Sequence, residues 1–375
     1  MKSAKYLLPL LLLFCTLLLC GCTSKEEKKI DEVVKRELDL LKNLDSATTQ
    51  KYISYQELFP EETEDTTDTS DIEEVFSLFF QDFDYKILDV HVDKDKESAT
   101  ADLRLFTLDA HALAEDFSEA QLKQEISLAA ADQSDDQTFS LEDRYRILRE
   151  LLSTNDYQTV ERNCTITLTA TREDTGNNWE IRRNNTLEND LVGGLMNYLT
   201  DPDILSPEDT LTVYFDTLKD MSTEELGNYL NADSIVSSGD SEKIQLADAL
   251  VSQVHSSFDY SVGEATVSGY HATVSASITT FDSDAILKNY NKDLNNYLSS
   301  VDAVIDGAQK RYEKSYSMLL DVIDKNTATK TVETAFPLLN DGASWKLEDA
   351  GTVFGQALFG GLSSSPVEDA ADSDN

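Results

Sequence analysis

The sequence lacks the short motifs that mark common enzyme active sites. It contains no glycine-rich phosphate loop and no Gly-x-Ser-x-Gly turn around a nucleophile. Its four histidines, His91, His111, His255 and His271, include no pair at the His-x-x-x-His spacing of a metal-binding helix. We therefore expect no cofactor and no bound metal, although an acid–base site inside a pocket would leave no such motif.

Basic residues are scarce. The chain has 31 Lys and Arg against 71 Asp and Glu, which gives a formal net charge of −40. Because this charge repels phosphate groups, it argues against nucleic acid and anionic lipid headgroups as partners. The acidic residues could bind calcium or a cationic partner, but a solvated surface is the simpler interpretation. The acidic run at 93–97 has no glycine for the turn of a calcium loop.

Long apolar segments are absent after residue 19. Leu7 to Leu19 form an apolar run that follows Lys2 and Lys5, and charge returns at Lys25. The run is shorter than the ~20 residues of a membrane-spanning helix. A basic start, a short apolar core and an abrupt return of charge are typical of a secretory signal peptide, which we predict at residues 1–21.

The end of this segment resembles the lipobox of bacterial lipoproteins. Leu19, Cys20, Gly21 and Cys22 supply its branched apolar residue, variable residue, small residue and cysteine. The resemblance implies that Cys22 becomes the N-terminus and carries diacylglycerol, with acyl chains such as palmitate. It also implies a protein anchored at the extracytoplasmic face of the cell membrane. In the alternative interpretation, Cys22 is an ordinary thiol just after a cleaved signal.

The mature chain has too few cysteines for an internal disulfide. Of the four in the sequence, Cys15 and Cys20 leave with the signal peptide and Cys22 carries the lipid, so Cys164 stands alone. An exported chain without disulfides must be stabilised by its cores. Cys164 lies in an alternating segment, 164–169, which favours a buried small residue over a nucleophile.

The two halves of the chain share short motifs in the same order, which predicts a tandem duplication. The matched segments are 42–46 with 219–223, 83–85 with 258–260, 107–109 with 280–282, 179–181 with 345–347, and 193–195 with 360–362. We predict domains at 30–200 and 201–362. A lipidated tether at 22–29 precedes them, and a disordered acidic tail at 363–375 follows.

Hydrophobic periodicity predicts three helices, two paired strands, a helical insertion and two closing strands in each copy. The strands are predicted at 85–92, 98–108, 159–172 and 179–183, and again at 260–268, 271–281, 330–339 and 345–347. Turns are predicted at Asn177-Asn178 and at 340–342.

Two matched pairs of residues have both a functional and a structural interpretation. Asp109 and Asp282 precede the helical insertions and could form acidic sites, but helix N-caps are favoured. Trp179 and Trp345 could stack on a ligand. Their alternation with the apolar residues two positions later favours packing in the core.

An α+β unit of three helices on a curved antiparallel sheet resembles the nuclear-transport-factor-two-like fold, a cone also found in ketosteroid isomerases. With the lipobox, the paired domains and the Trp-containing closing strand, residues 31–362 resemble uncharacterised lipoproteins of low-GC Gram-positive bacteria. The resemblance implies two tandem cone-like domains, each with a helical insertion between strands. It implies almost nothing about activity.

The sequence leaves two classes of function open. The first is a non-catalytic module that acts as a spacer or binds a peptide, a glycan, a small apolar ligand or an envelope protein. The second is an isomerase or hydro-lyase with an Asp base and a Tyr or acid donor inside one cone. The residues that match between the copies are structural types, Phe, Tyr, Trp and Gly, which favours the first.

Replacing Cys22 by Ala should release the protein into the medium or leave it unprocessed, because it removes the attachment site of the diacylglycerol, whose two acyl chains give stable anchoring. Fractionation of cells into membrane and medium measures this directly. Membrane retention of the variant equal to that of the wild type would contradict the lipoprotein interpretation.

Overall fold

The structure, a computed structural model, describes a set of ranges that begins at residue 25. These ranges are 25–53, 58–59, 70–93, 97–131, 140–173, 176–230, 232, 241–348 and 350–359. Within them the chain groups into two compact units, one up to residue 113 with 140–198 and the other at 114–131 with the residues from 199 onward. Residues 114–131 therefore group with the second unit, whereas the sequence division placed them in the first.

The first unit begins with helices and continues into a sheet. Its elements are α1 (Lys25–Lys42), α2 (Ser46–Tyr52), α3 (Ser70–Phe79), β1 (Asp84–Val92), β2 (Ser98–Leu108), the start of α4 (Ala110–Ala130), α5 (Leu141–Thr154), β3 (Thr159–Glu173), β4 (Gly176–Ile181), α6 (Asn185–Leu191) and α7 (Leu195–Leu199). Residues 25–29, assigned from the sequence to the tether, form the first turns of α1.

The sheet of the first unit is antiparallel, in the order β1-β2-β3-β4. Its strands follow the predicted ranges closely, with one correction. The turn predicted at Asn177-Asn178 is wrong, because these residues pair with Arg172 and Thr171 inside the ladder. Gly176 already pairs with Glu173, so the chain reverses before the asparagines.

One face of this sheet is apolar and α1 packs on it. Along β2, Ala99, Ala101, Leu103 and Leu105 are buried, and the residues between them point to the other face. The side chains of α1 that are buried recur three or four residues apart, at Ile30, Val34, Leu38 and Leu41. The alternating apolar side chains of β2 and the helically spaced apolar side chains of α1 thus pack in one core.

The second unit has its own four-stranded antiparallel sheet, in the order β5-β6-β7-β8. After residues 114–130 of α4, its elements are α8 (Pro207–Asp220), α9 (Thr223–Tyr229), α10 (Ser241–Ser257), β5 (Asp259–Ser268), β6 (His271–Phe281), α11 (Ser283–Leu298), α12 (Val301–Ile305), α13 (Ala308–Asp324), β7 (Thr329–Asn340), β8 (Trp345–Leu347) and α14 (Ala350–Leu358). Ser206 caps α8 and Pro207 opens it.

The two units share one order of elements. Each has three helices, two strands, a helical insertion, two strands and closing helical structure. Each first strand also has an irregularity at the same place, between Ile87 and Asp89 in β1 and between Val262 and Ala265 in β5. The closing helices α6, α7 and α14 were not predicted.

Both tryptophans lie in the cores, as the favoured interpretation predicted. Trp179 in β4 is 2% exposed and Trp345 in β8 is 4% exposed. Trp345 belongs to an apolar cluster that also contains Phe215, Phe336 and Phe354. The indoles are therefore not available as a surface for stacking on a ligand.

Replacing either tryptophan by Ala should destabilise its own unit by about 3–5 kcal/mol, because each substitution empties a large buried site. Hydrogen exchange read by mass spectrometry would show which unit's peptides lose protection. The control is Val332→Ala, at a side chain that is 43% exposed, which should change stability by less than about 0.5 kcal/mol. Unchanged unfolding of both Trp variants would contradict the core assignment.

Candidate functional site

A groove of about 410 Å³ lies between α1 and β1 in the first unit. Helix α1 contributes residues at a spacing of three or four, which places them on one face beside its apolar stripe. Strand β1 contributes consecutive residues from the edge of the sheet. The lining residues are Asp31, Lys35, Asp39, Lys42, Asp84, Tyr85, Lys86 and Ile87.

The polar side chains in this groove pair with one another. The Tyr85 hydroxyl donates to Oδ1 of Asp39 at 2.7 Å, and Lys42 Nζ lies 2.7 Å from Oδ1 of Asp84. Lys35 pairs with Asp31, one turn earlier on α1, at 2.7 Å. The lining thus holds equal numbers of acidic and basic residues, in a chain of net charge −40.

These contacts fix the protonation of the groove. Burial and the hydrogen bond to Asp39 raise the pKa of Tyr85, while the hydrogen bond from Lys42 lowers the pKa of Asp84. At neutral pH the tyrosine is therefore a protonated donor and Asp84 is an ionised acceptor.

The second unit contains the same arrangement. The Tyr260 hydroxyl donates to Oδ1 of Asp216 at 2.5 Å, and Lys219 Nζ lies 2.9 Å from Oδ1 of Asp259. The pKa values shift in the same directions: burial raises that of Tyr260, and the hydrogen bond from Lys219 lowers that of Asp259. We call these two sets the helix–strand ties.

The ties keep the spacing of the sequence repeat. Their helix residues are 177 positions apart, and their strand residues are 175 apart. The lysines that complete the first groove do not recur, since Thr212 and Ser261 stand at the positions matching Lys35 and Lys86. The two units therefore share the ties, and they differ in the charge around them.

A second repeated contact joins a carboxylate to each indole. Trp179 Nε1 donates to Oε2 of Glu26 at 3.0 Å, and Trp345 Nε1 donates to Oδ1 of Asp203 at 2.9 Å. Glu26 and Asp203 are also 177 positions apart. These indole–carboxylate bonds satisfy the only polar atom of a side chain that is otherwise buried in apolar surroundings.

The Asp and the Tyr of each tie are engaged with each other, which bears on acid–base chemistry. A general base must reach a substrate proton, and an oxyanion donor must point at the substrate. In each unit the Asp and the Tyr instead hydrogen-bond to each other. A substrate would first have to break a charge-assisted hydrogen bond to engage either group.

Of the other residues singled out from the sequence, Cys22 lies outside the described residues. Cys164, Asp109 and Asp282 have structural roles. Cys164 is buried, as predicted, and burial raises its pKa to about 12. Asp109 and Asp282 are N-caps, which confirms the favoured interpretation. Asp109 Oδ1 accepts from the Ala112 amide at 3.2 Å, and Asp282 Oδ1 accepts from the amides of residues 284 and 285.

Within the described part of the chain the histidines form no recognisable metal site. The side chains of all four histidines are exposed. Among the described residues, no group of three His, Cys, Asp or Glu is placed to hold a metal ion. Residues 94–96, 61–69 and 132–136, which contain most of the acidic runs, lie outside the description.

Sequence reasoning missed Glu26, Asp39, Asp203 and Asp216. A usable signal was present, because the offset of 177 that relates the longer motifs also relates Glu26 to Asp203 and Asp39 to Asp216. Matching single carboxylates at the offset of the repeat would have found both pairs. The offset does not show which hydrogen-bond donor each carboxylate binds.

Comparison with known proteins gives little further information. No protein-family model matches the chain, and no curated protein is significantly similar to it. Among solved structures it is similar to the crystal structure of a candidate lipoprotein, ycdA, from Bacillus subtilis. That match has 13% identity and a TM-score of 0.25, and it covers 74% of this chain and 96% of that chain. A TM-score at this level does not establish a shared fold.

No helix within the described ranges is both long enough and apolar enough to cross a membrane.

Proposed function

We propose that this protein is a lipoprotein, held by diacylglycerol on Cys22 at the extracytoplasmic face of the membrane of a low-GC Gram-positive bacterium. It acts there as a non-catalytic binding or spacer module. The lipobox at residues 19–22 supports the anchor. The helix–strand ties support the absence of catalysis.

The observation that carries the proposal is the recurrence of the ties. An enzyme that keeps one working site generally lets the same residues change in its other copy. Here both copies keep the Tyr–Asp and Lys–Asp pairs with similar lengths. This recurrence is explained more simply if the pairs hold a helix to a strand in each unit than if they form an acid–base site.

Internal duplication and the cone-like fold belong to the same proposal. The common order of elements, the matching strand irregularities and the repeated indole–carboxylate bonds support descent of both units from one ancestor. Three helices followed by a four-stranded sheet with a helical insertion support two nuclear-transport-factor-two-like cones.

The groove of the first unit is the favoured binding surface. Its three lysines and three aspartates offer both donors and acceptors. It also runs along β1, an edge strand whose outer side is not paired within its four-stranded sheet. A peptide or a glycan suits such a surface better than a small apolar ligand does, since apolar ligands need mostly apolar linings.

Tyr85→Phe and Tyr260→Phe distinguish an architectural tie from a catalytic residue without knowledge of the ligand. Each substitution removes one hydrogen bond to a carboxylate and should lower the free energy of unfolding by about 1 kcal/mol. Urea unfolding of the purified protein measures this. Tyr312→Phe, at a 50% exposed tyrosine in α13, is the control and should have no measurable effect.

A catalytic pair gives the opposite result. Functional residues are often held at a cost in stability, so their removal leaves stability unchanged or raises it. Equal or greater stability of both Tyr→Phe variants would therefore contradict the proposal and favour the isomerase or hydro-lyase alternative.

A further inference from the structure

The connection between α11 and α13 exposes an unusual amount of apolar surface. We call residues 297–307, which include α12, the hairpin tip. Its exposed aliphatic side chains are Leu298 (51%), Val301 (74%), Val304 (81%) and Ile305 (75%). Residues 301, 304 and 305 are three and four apart in α12, so they share one face of that helix. All four lie between residues 298 and 305, whereas isolated apolar residues on a surface need no explanation.

A buried polar network holds this tip in place. The Asp306 carboxylate is only 5% exposed. It accepts a hydrogen bond from the Tyr297 hydroxyl at 2.8 Å and pairs with Lys314 at 2.8 Å and Lys310 at 3.0 Å. Arg311 adds a hydrogen bond to the backbone carbonyl of Ala303 at 3.2 Å. The apolar side chains are thus presented by an ordered scaffold.

The hairpin tip and the first residues of α13, taken together, differ from the rest of the chain in charge, although residues 297–307 alone contain two acidic residues and no basic one. Residues 297–314 contain three acidic residues, Asp302, Asp306 and Glu313, and three basic residues, Lys310, Arg311 and Lys314. Their net charge is zero, against −40 for the whole chain. Anionic headgroups repel most of this protein, but they do not repel this segment. Its basic residues lie just beyond the exposed aliphatic side chains, where they can meet phosphate groups.

The size of this exposed apolar surface indicates what kind of partner covers it. A stable protein interface buries about 800 Å² on each partner, over ~20 to 30 residues. Four aliphatic side chains supply only a small part of that. Shallow insertion at the boundary of headgroups and acyl chains needs only a few apolar side chains, and it adds usefully to a lipid anchor that already holds the protein at the membrane.

We propose that the hairpin tip inserts into the surface of the lipid bilayer and serves as a second membrane contact. Val301, Val304 and Ile305 enter the acyl region, while Lys310 and Arg311 lie at the level of the phosphates. This inference depends on the proposed lipid anchor in one respect only, namely that the anchor places the protein next to a bilayer. With contacts at Cys22 and at the tip, the second unit would be restrained at the membrane.

The experiment replaces the lipid by an artificial tether. The chain from residue 23, with an N-terminal histidine tag, is bound to phosphatidylcholine–phosphatidylglycerol vesicles that contain a nickel-chelating lipid. An environment-sensitive fluorophore is attached at Val304→Cys. Cys164 is the only other cysteine of this chain, and it is buried, so labelling is specific. Because Cys22 is absent, the result does not depend on whether lipidation occurs.

Tethering should shift the emission at position 304 to the blue and raise its intensity several-fold, and spin-labelled lipid should quench it. The matched control is a label at Val267→Cys, in β5 of the same unit, where the valine is 55% exposed. It should stay in water. Adding Val301→Ser and Ile305→Ser to the Val304→Cys protein should abolish most of the shift without changing its unfolding midpoint.

Three results would overturn the proposal. The first is a label at 304 that remains in water on tethered vesicles. The second is an equal response at 267, or a shift that survives the two serine substitutions. The third is a blue shift without vesicles that grows with protein concentration, which would assign the hairpin tip to contact with a second copy of the chain.

Discussion

The architecture depends on how each sheet covers its apolar face. Within the described residues Cys164 is the one cysteine, and it is free, so packing and hydrogen bonds hold the helix on each sheet there. In the first unit α1 packs on the sheet and is tied to both of its edges. Near its start Glu26 accepts from Trp179 of β4, and near its end Asp39 and Lys42 bind β1. In the second unit Asp216 and Lys219 of α8 bind β5 in the same way, and Asp203, in the segment just before α8, accepts from Trp345 of β8.

This arrangement bears on function. Tyr and Asp are the residues that an acid–base enzyme of the proposed cone-like fold would require, and in both units they join a helix to an edge strand. The groove beside the first tie has additional lysines that the second unit lacks, so the two copies share the ties and differ in the surface beside them. The hairpin tip adds an apolar surface that neither core uses. The proposed function, an anchored module with one polar groove and a membrane contact at the hairpin tip, accounts for these features together.

Much of the fold could be predicted because alternating residues in β2 and β6 and spaced residues in α1 each report a buried face. The start of α8 could be predicted because Ser206 and Pro207 are local signals. The turn at Asn177-Asn178 could not, since asparagine also occurs within strands and the reversal falls a few residues earlier. The partners of Glu26 and Asp39 lie 153 and 46 positions away, and no local pattern encodes such pairings. The exposure of Val301 and Val304 also escaped prediction, because their spacing is that of a buried helical face.

The indole N–H groups offer the most direct test of the central claim, that equivalent carboxylates hold the buried indole of the closing strand in both units. The chain has only two tryptophans, so a ¹⁵N-tryptophan spectrum of the protein from residue 23 contains two indole signals. The account predicts that both exchange slowly with solvent. Glu26→Gln should shift and deprotect the Trp179 signal alone, and Asp203→Asn the Trp345 signal alone. An indole N–H that exchanges at the rate of free tryptophan, or whose signal and exchange rate do not change when its carboxylate is removed, would contradict the account.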